Sequence, residues 1–310
     1  NHAGAMGIDV GGTKIAAGIV QVPAGKVIAK RIVPTEPERG GEAVLLRVMD
    51  IASELLRVAR RQGLSLAGIG LGVAELVDLQ DNVTSSQTIA WRDLPVRARL
   101  STLAPAAVES DVRAAALAEA RWGAGRSHRL VVYVTVGTGI STTLVQGGRT
   151  YAGARGNALI LASAPLNVWC PACGTKVRQV LEEFASGPAL VKRYNQLASR
   201  QLTKGEEVAA AAAAGDRTAA EIVHSAGEAL GNSVAFLANV LDPDVIIVGG
   251  GLGLVGGLYW ESFVGAARSS IWSEETRKLP IIPATLGTDS GLMGAALTVW
   301  ERLHGTFPHS

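Results

Sequence analysis

The sequence predicts an α/β fold in two lobes, and three observations carry that reading. Residues 6–20 run as an apolar strand, a turn on Gly11 and Gly12, and a second apolar strand. The same pattern returns over residues 130–146, where two apolar strands flank the turn Gly137-Thr138-Gly139. Around these hairpins short apolar strands alternate with amphipathic helical stretches, the order that builds layered α/β lobes. At 310 residues the chain is long enough to bury a core in each of two lobes.

The elements follow in order. Residues 26–33 extend the first hairpin by a strand, and 41–63 form a helix with Leu45, Val48, Met49, Ala52, Leu55, Leu56 and Ala59 at helical spacing. A buried strand over 67–73, a polar loop over 84–93 around Trp91, and a short strand over 106–109 come next. That strand runs through Ser110 and Asp111 into a helix over 112–122. After the second hairpin, helices are expected at 180–197, 206–214 and 218–241, the last opened by Thr218 and Glu221 at capping-box spacing. A buried strand over 244–248 ends in Gly249, Gly250 and Gly251, followed by a helix at 259–272, a strand at 280–286 and a helix at 291–303. The expected lobes are 6–113 with the closing helix at about 292–306, and 114–291.

Composition removes several classes of function. Charged residues make up 18% and the net charge is +2, with acids and bases interspersed, so nothing supports nucleic-acid binding. No apolar run reaches membrane-spanning length and no secretory pattern is visible, so a cytoplasmic protein is expected. The two cysteines, Cys170 and Cys173, stand too close together to staple a large fold and fit a reducing compartment.

The chemistry gathers at the turns. Gly11 and Gly12 let backbone N–H groups approach phosphate oxygens, Thr13 and Lys14 add a hydroxyl and an ammonium, and Asp9 offers a carboxylate for a hydrated Mg²⁺. The spacing is not that of a P-loop. Gly137, Thr138 and Gly139 repeat the clamp, and Gly249, Gly250 and Gly251 form a third glycine turn. A plain hairpin or strand-to-helix turn would account for any one of them alone. A duplicated strand-turn-strand clamp is the mark of a two-lobed ATPase.

Four motifs in sequence, D-x-G-G-T-K (9–14), G-T-G-I (137–140), L-E-E-F-A-S-G (181–187) and D-P-x-x-I-I-V-G-G-G (242–251), resemble those of the repressor/ORF/kinase (ROK) family of sugar kinases. The resemblance runs from about Met6 to Leu303. It implies an actin-like ATPase (ribonuclease H-like) fold with two lobes around a nucleotide cleft, ATP with Mg²⁺ as donor, a hydroxymethyl acceptor and a homodimer. On this resemblance Asp9, Gly11, Gly12, Thr13, Lys14, Gly137, Thr138, Gly139, Gly249, Gly250 and Gly251 bind ATP. Asp111 is the general base and acceptor contact, with Ser110 available as the helix cap, and Glu182 matches the family's sugar-binding glutamate.

Departures from the family pattern fall on the acceptor side. Ser110 stands for the usual Asn, and Gly156-Asn157-Ala158-Leu159-Ile160 stands for G-E-x-G-H, so Asn157 replaces Glu and Ile160 replaces His. Ala74-Glu75 replaces the usual Pro-Gly, and Gln87 and Trp91 occupy the acceptor loop. A pocket that lost these donors and acceptors rejects a sugar whose hydroxyls it no longer satisfies. The expected acceptor is therefore a C7 cyclitol of the 2-epi-5-epi-valiolone type or an aminosugar such as kanosamine, of antibiotic-type pathways. Ordinary glucokinase or N-acetylhexosamine kinase is the alternative, and a sugar-sensing regulator is disfavoured because no winged helix precedes the first strand. The family's zinc site keeps Cys170 and Cys173 but has Val180 and Ile160 at the other two positions, so zinc is not expected.

Overall fold

A computed structural model describes residues 4–169 and 176–305. In chain order the elements are β1 (Gly4–Val10), β2 (Lys14–Gln21), β3 (Lys26–Pro34), α1 (Gly41–Arg61), β4 (Leu66–Val73), α2 (Val96–Ser101), β5 (Ala106–Ser110) and α3 (Asp111–Trp122). There follow β6 (Leu130–Val136), β7 (Ile140–Gln146), β8 (Arg149–Thr150), β9 (Pro165–Trp169), β10 (Lys176–Val180), α4 (Leu181–Ala185), α5 (Gly187–Leu197) and α6 (Gly205–Ala213). The chain closes with α7 (Arg217–Leu241), β11 (Val245–Gly249), α8 (Gly257–Ser270), β12 (Ile281–Pro283) and α9 (Ser290–His304). It divides into two units, 1–129 with 143–158 and 285–310, and 130–142 with 159–284, the division passing through β7.

The first unit is a five-stranded sheet in the order β3-β2-β1-β4-β5, with β1, β2 and β3 antiparallel and β1, β4 and β5 parallel. Strand alternation assigns its two faces. Met6, Ile8, Val10, Ile69, Leu71 and Val73 point to one face and pack with Val44, Leu45, Val48 and Leu55 of α1. On the other face β1 and β4 present Gly7 and Gly70, and α9 lies directly on them. A side chain on either glycine would run into the α9 backbone at Leu292 or Ala295. Close approach, rather than turn formation, is what these two glycines serve.

The second sheet runs β12-β11-β6-β7-β8, with β12, β11 and β6 in the second unit. Read from the other edge, this is the order of the first sheet, with β6 in the place of β1 and β11 in the place of β4. The parallel pairs β6–β11 and β11–β12 match β1–β4 and β4–β5. Val245, Ile246, Ile247 and Val248 are buried, and α7 packs against α8, α6 and α4. A separate antiparallel pair, β9 with β10, has no counterpart in the sequence reading.

Three local expectations are corrected. The helix expected at 180–197 is two helices, because Ser186 turns extended and its side chain accepts the Ala189 N–H. The cap of α7 is Asp216, accepting the Ala219 N–H at 3.0 Å, and not the Thr218–Glu221 pair, which lies inside the helix. The last strand covers only Ile281–Pro283. Helix α3 packs against α9 in the first unit, and its buried Glu119 accepts the N–H groups of Thr285 and Leu286.

Candidate active site

In the first unit the site forms at the C-terminal ends of the parallel strands, where open α/β sheets place their ligands. Ala5, Gly7 and Asp9 alternate onto the α9 face, so Asp9 ends β1 directly over Gly291 at the start of α9, where a side chain would collide with its carboxyl group. Gly11 closes the following turn by donating its N–H to the Lys14 carbonyl at 3.0 Å. Thr35, buried, braces it by donating its hydroxyl to the Gly11 carbonyl at 2.7 Å and its N–H to the Thr13 carbonyl at 3.1 Å. Thr13 and Lys14 stay exposed, and Gly12 is half-buried. Burial pushes the Asp9 carboxyl up to about 6, against the opposing pull of the Lys14 ammonium.

Asp111 begins α3 two strands away. Gly72 of β4 lies between the two carboxyl groups: a side chain there would come within 3.7 Å of the Asp111 Cα and 3.8 Å of Asp9 Oδ1. Burial pushes the Asp111 carboxyl up to about 7, and the neighbouring charges of Asp9 and Glu75 add to the rise. The expected division of labour with Ser110 is corrected. Ser110 occupies the cap position but makes no capping bond, and its buried hydroxyl has no partner. Asp111 itself accepts the Val112 N–H at 2.7 Å, which opposes the pKa rise.

The acceptor-side loop is anchored at both ends. Glu75, buried at the end of β4, accepts the Ser85 hydroxyl and the N–H groups of Gln87, Thr88 and Ile89. Trp91 is fully buried and donates its indole N–H to the Gly41 carbonyl at 2.7 Å, so it anchors the loop and offers no ring to an acceptor. The Gln87 side chain is exposed. Asn157, also exposed, follows Gly156, whose carbonyl accepts from the buried Arg113 guanidinium at 2.7 Å. The same guanidinium bonds the Val77 carbonyl at 2.7 Å and pairs with Glu109. Leu159, where the family pattern has glycine, sits at φ 62°, a left-handed conformation that costs a branched side chain about 1–2 kcal/mol. Ile160 is exposed.

In the second unit Gly137, Thr138 and Gly139 turn between β6 and β7, with the Gly137 N–H donated to the Gly139 carbonyl at 2.9 Å. Glu182, at the start of α4, accepts the Ile140 N–H at 2.7 Å, and its carboxylate fills the space a side chain on Gly139 would need. Gly250 has φ 85°, and a side chain there would strike the Val136 backbone; one on Gly251 would strike the carboxylate of Glu206. The Gly249–Gly251 turn therefore lies against the end of β6, next to the second clamp.

Sequence reasoning missed Thr35, Glu75, Arg113 and Glu206. Glu75 was visible only as a departure from the family pattern, and the others carried no local signal. Among the described residues no group of three or more His, Cys, Asp or Glu side chains is placed to hold a metal directly. The oxygen chemistry of Asp9 suits Mg²⁺ held through water and phosphate rather than by an all-protein cage. Cys170 and Cys173 lie outside the described residues. No described helix is long and apolar enough to cross a membrane.

The sequence model of the ROK family matches residues 5–302. A ROK hexokinase from Thermus thermophilus has a similar structure, with TM-score 0.80 and 34% identity over 96% of this chain and 98% of that one. A ROK glucokinase from Streptomyces griseus, solved with glucose and AMPPNP, gives TM-score 0.77 and 29% identity over 94% and 97%. The glucokinase of Streptomyces coelicolor is 29% identical over 94% of this chain and 96% of its own length.

Proposed function

From the premise that the chain belongs to the ROK family, as its match over residues 5–302 shows, we propose that this ATP-dependent sugar kinase phosphorylates a primary hydroxyl with Asp111 as general base. The observation that carries the proposal is the pairing of Asp111, raised to about 7, with Asp9 at one sheet edge. A base poised near the working pH is ionised often enough to accept the hydroxyl proton and basic enough to hold it. As the proton passes to Asp111, the acceptor oxygen bonds to the γ-phosphorus and the bond to the β-phosphate oxygen breaks, releasing ADP. Phosphoryl transfer needs little more than alignment and charge stabilisation. The turn at Gly11–Lys14 and that at Gly137–Gly139 supply N–H groups for phosphate, and Gly249–Gly251 the flat surface for the adenosine. Mg²⁺, held through water at Asp9, neutralises phosphate charge when bound.

The acceptor we propose is a C7 cyclitol or an aminosugar. Ser110, Asn157 and Ile160 replace the family's Asn, Glu and His. Asn157 both donates and accepts, so it can meet a ketone or an altered hydroxyl pattern, whereas Ile160 offers only apolar contact. Ordinary glucokinase is the second reading, favoured by the relatives that carry that name. Initial rates at saturating Mg-ATP decide between them. A cyclitol or aminosugar is expected to exceed glucose in kcat/KM by about tenfold, roughly 1.4 kcal/mol in transition-state binding. Preference for glucose over every such compound would overturn the assignment, and Asn157→Glu with Ile160→His should move preference toward glucose. A cytoplasmic homodimer belongs to the same proposal, supported by the exposed Phe236, Val240 and Trp272; sedimentation of a monomer at micromolar concentration would contradict it.

A further inference from the structure

Glu75 is a buried carboxylate that takes no direct part in the reaction described above, although its charge adds to the rise at Asp111. Its oxygens collect donors from one stretch of chain: the Ser85 hydroxyl, and the N–H groups of Gln87, Thr88 and Ile89 at 3.0, 2.5 and 2.7 Å. The Ser85 hydroxyl donates to the carboxylate while its oxygen accepts the Leu76 N–H at 2.8 Å. Three consecutive backbone N–H groups thus turn inward onto one side chain, where loop N–H groups ordinarily face water. Burying a carboxylate is costly unless it is fully hydrogen-bonded, and four donors meet that condition.

What the carboxylate holds is the loop over residues 85–89. The Gln87 and Thr88 side chains remain exposed while their backbone is tied down. The Thr88 methyl reaches the first phosphate turn, since a side chain on Gly12 would come within 2.9 Å of Thr88 Cγ2. Trp91 pins the far end through Gly41. The loop is therefore fixed between the end of β4 and the Gly11–Gly12 turn. The usual Pro-Gly of the family, replaced here by Ala74-Glu75, has no carboxylate to do this.

We propose that Glu75 is a positioning residue that fixes residues 85–89 so that Gln87 and Thr88 meet the acceptor in one orientation. The proposal rests on the kinase reading for its consequence, and on the loop geometry alone for its mechanism. Glu75→Gln keeps the size of the side chain but turns an NH₂ group toward N–H donors, so the clamp loses acceptors and the loop is released.

The test has two readouts on the full-length chain. In hydrogen exchange, the Gln87, Thr88 and Ile89 amides of Glu75→Gln are expected to exchange at least about tenfold faster, while those of β1 and β4 keep wild-type protection. With Mg-ATP and glucose as the probe acceptor, KM for glucose rises about fivefold or more while KM for ATP stays put, and Glu75→Asp recovers part of the loss. Ser85→Ala removes one donor and leaves the carboxylate, so it serves if Glu75→Gln does not fold, with a smaller rise in exchange expected. Unchanged exchange at residues 87–89 in a folded variant would overturn the proposal, as would a glucose KM and an ATP KM that rise together. Wild-type protein inactive on every acceptor would sink the kinase reading but leave the exchange result to decide the clamp.

Discussion

The two strand-turn-strand clamps share a sheet order and differ in where they keep their charge. In the first, Asp9 and Lys14 belong to the clamp itself, and Asp9 shares its sheet edge with Asp111. In the second, the turn Gly137-Thr138-Gly139 carries no charged side chain, and a carboxylate from elsewhere, Glu182, braces it through the Ile140 N–H. The two copies of the backbone frame thus differ in that one carries charged side chains of its own and the other carries none. The first copy keeps its carboxyls destabilised by burial, and the second uses its carboxylate as a fixed strut.

This contrast breaks most sharply at Asp111. Asp111→Asn removes the proposed base with little change in side-chain size, so kcat should fall about 10²–10⁴-fold with both KM values nearly unchanged. Steady-state rates settle it, and turnover near that of the wild type would take Asp111 out of the reaction. The next effect is smaller and lies in the second clamp. Glu182→Gln weakens a charge-assisted bond, so KM for ATP should rise about threefold to tenfold while kcat holds. A rise in acceptor KM instead would return Glu182 to the sugar-binding role that the family resemblance gives it.

A separate effect is on stability. The Asp111 carboxyl is raised in the folded chain, from an ordinary 3.8 to about 7. The folded state therefore holds a proton that the unfolded state releases, and this group's contribution to stability falls as pH rises through that range, leaving a penalty above about 7. Asn carries no such penalty. At pH 8 Asp111→Asn should be more stable than the wild type by about 1–3 kcal/mol, a few degrees in melting temperature, and the gain should shrink toward pH 4. Thermal melts at the two pH values check it; an Asn variant that melts lower at pH 8 would mean the ionised carboxylate is well accommodated.

Local pattern made much of the architecture legible. The apolar strand-turn-strand runs over residues 6–20 and 130–146 belong to the chain itself, and so does the helical spacing of Leu45, Val48, Ala52 and Leu55; every one of these appears as expected. The glycine turns were legible because only residues without a Cβ approach phosphate or backbone that closely. One cap was misplaced by the sequence reading: α7 begins at Arg217 under Asp216, two residues before the Thr218 that the capping-box spacing pointed to.

Tertiary structure alone decided the rest, because the deciding partners are distant in sequence. Glu75 reads as a stray acid until the chain returns ten to fourteen residues later with four donors. Trp91 reads as an acceptor-loop aromatic until Gly41, fifty residues earlier, offers its carbonyl to the indole. Helix α3 packs with α9 from the far end of the chain, a pairing that no local pattern announces. Periodicity and turn chemistry act within a few residues and are written in the order of the sequence. The rise that burial imposes on the Asp9 and Asp111 carboxyls depends on what the completed fold leaves around them, and no stretch of sequence contains that.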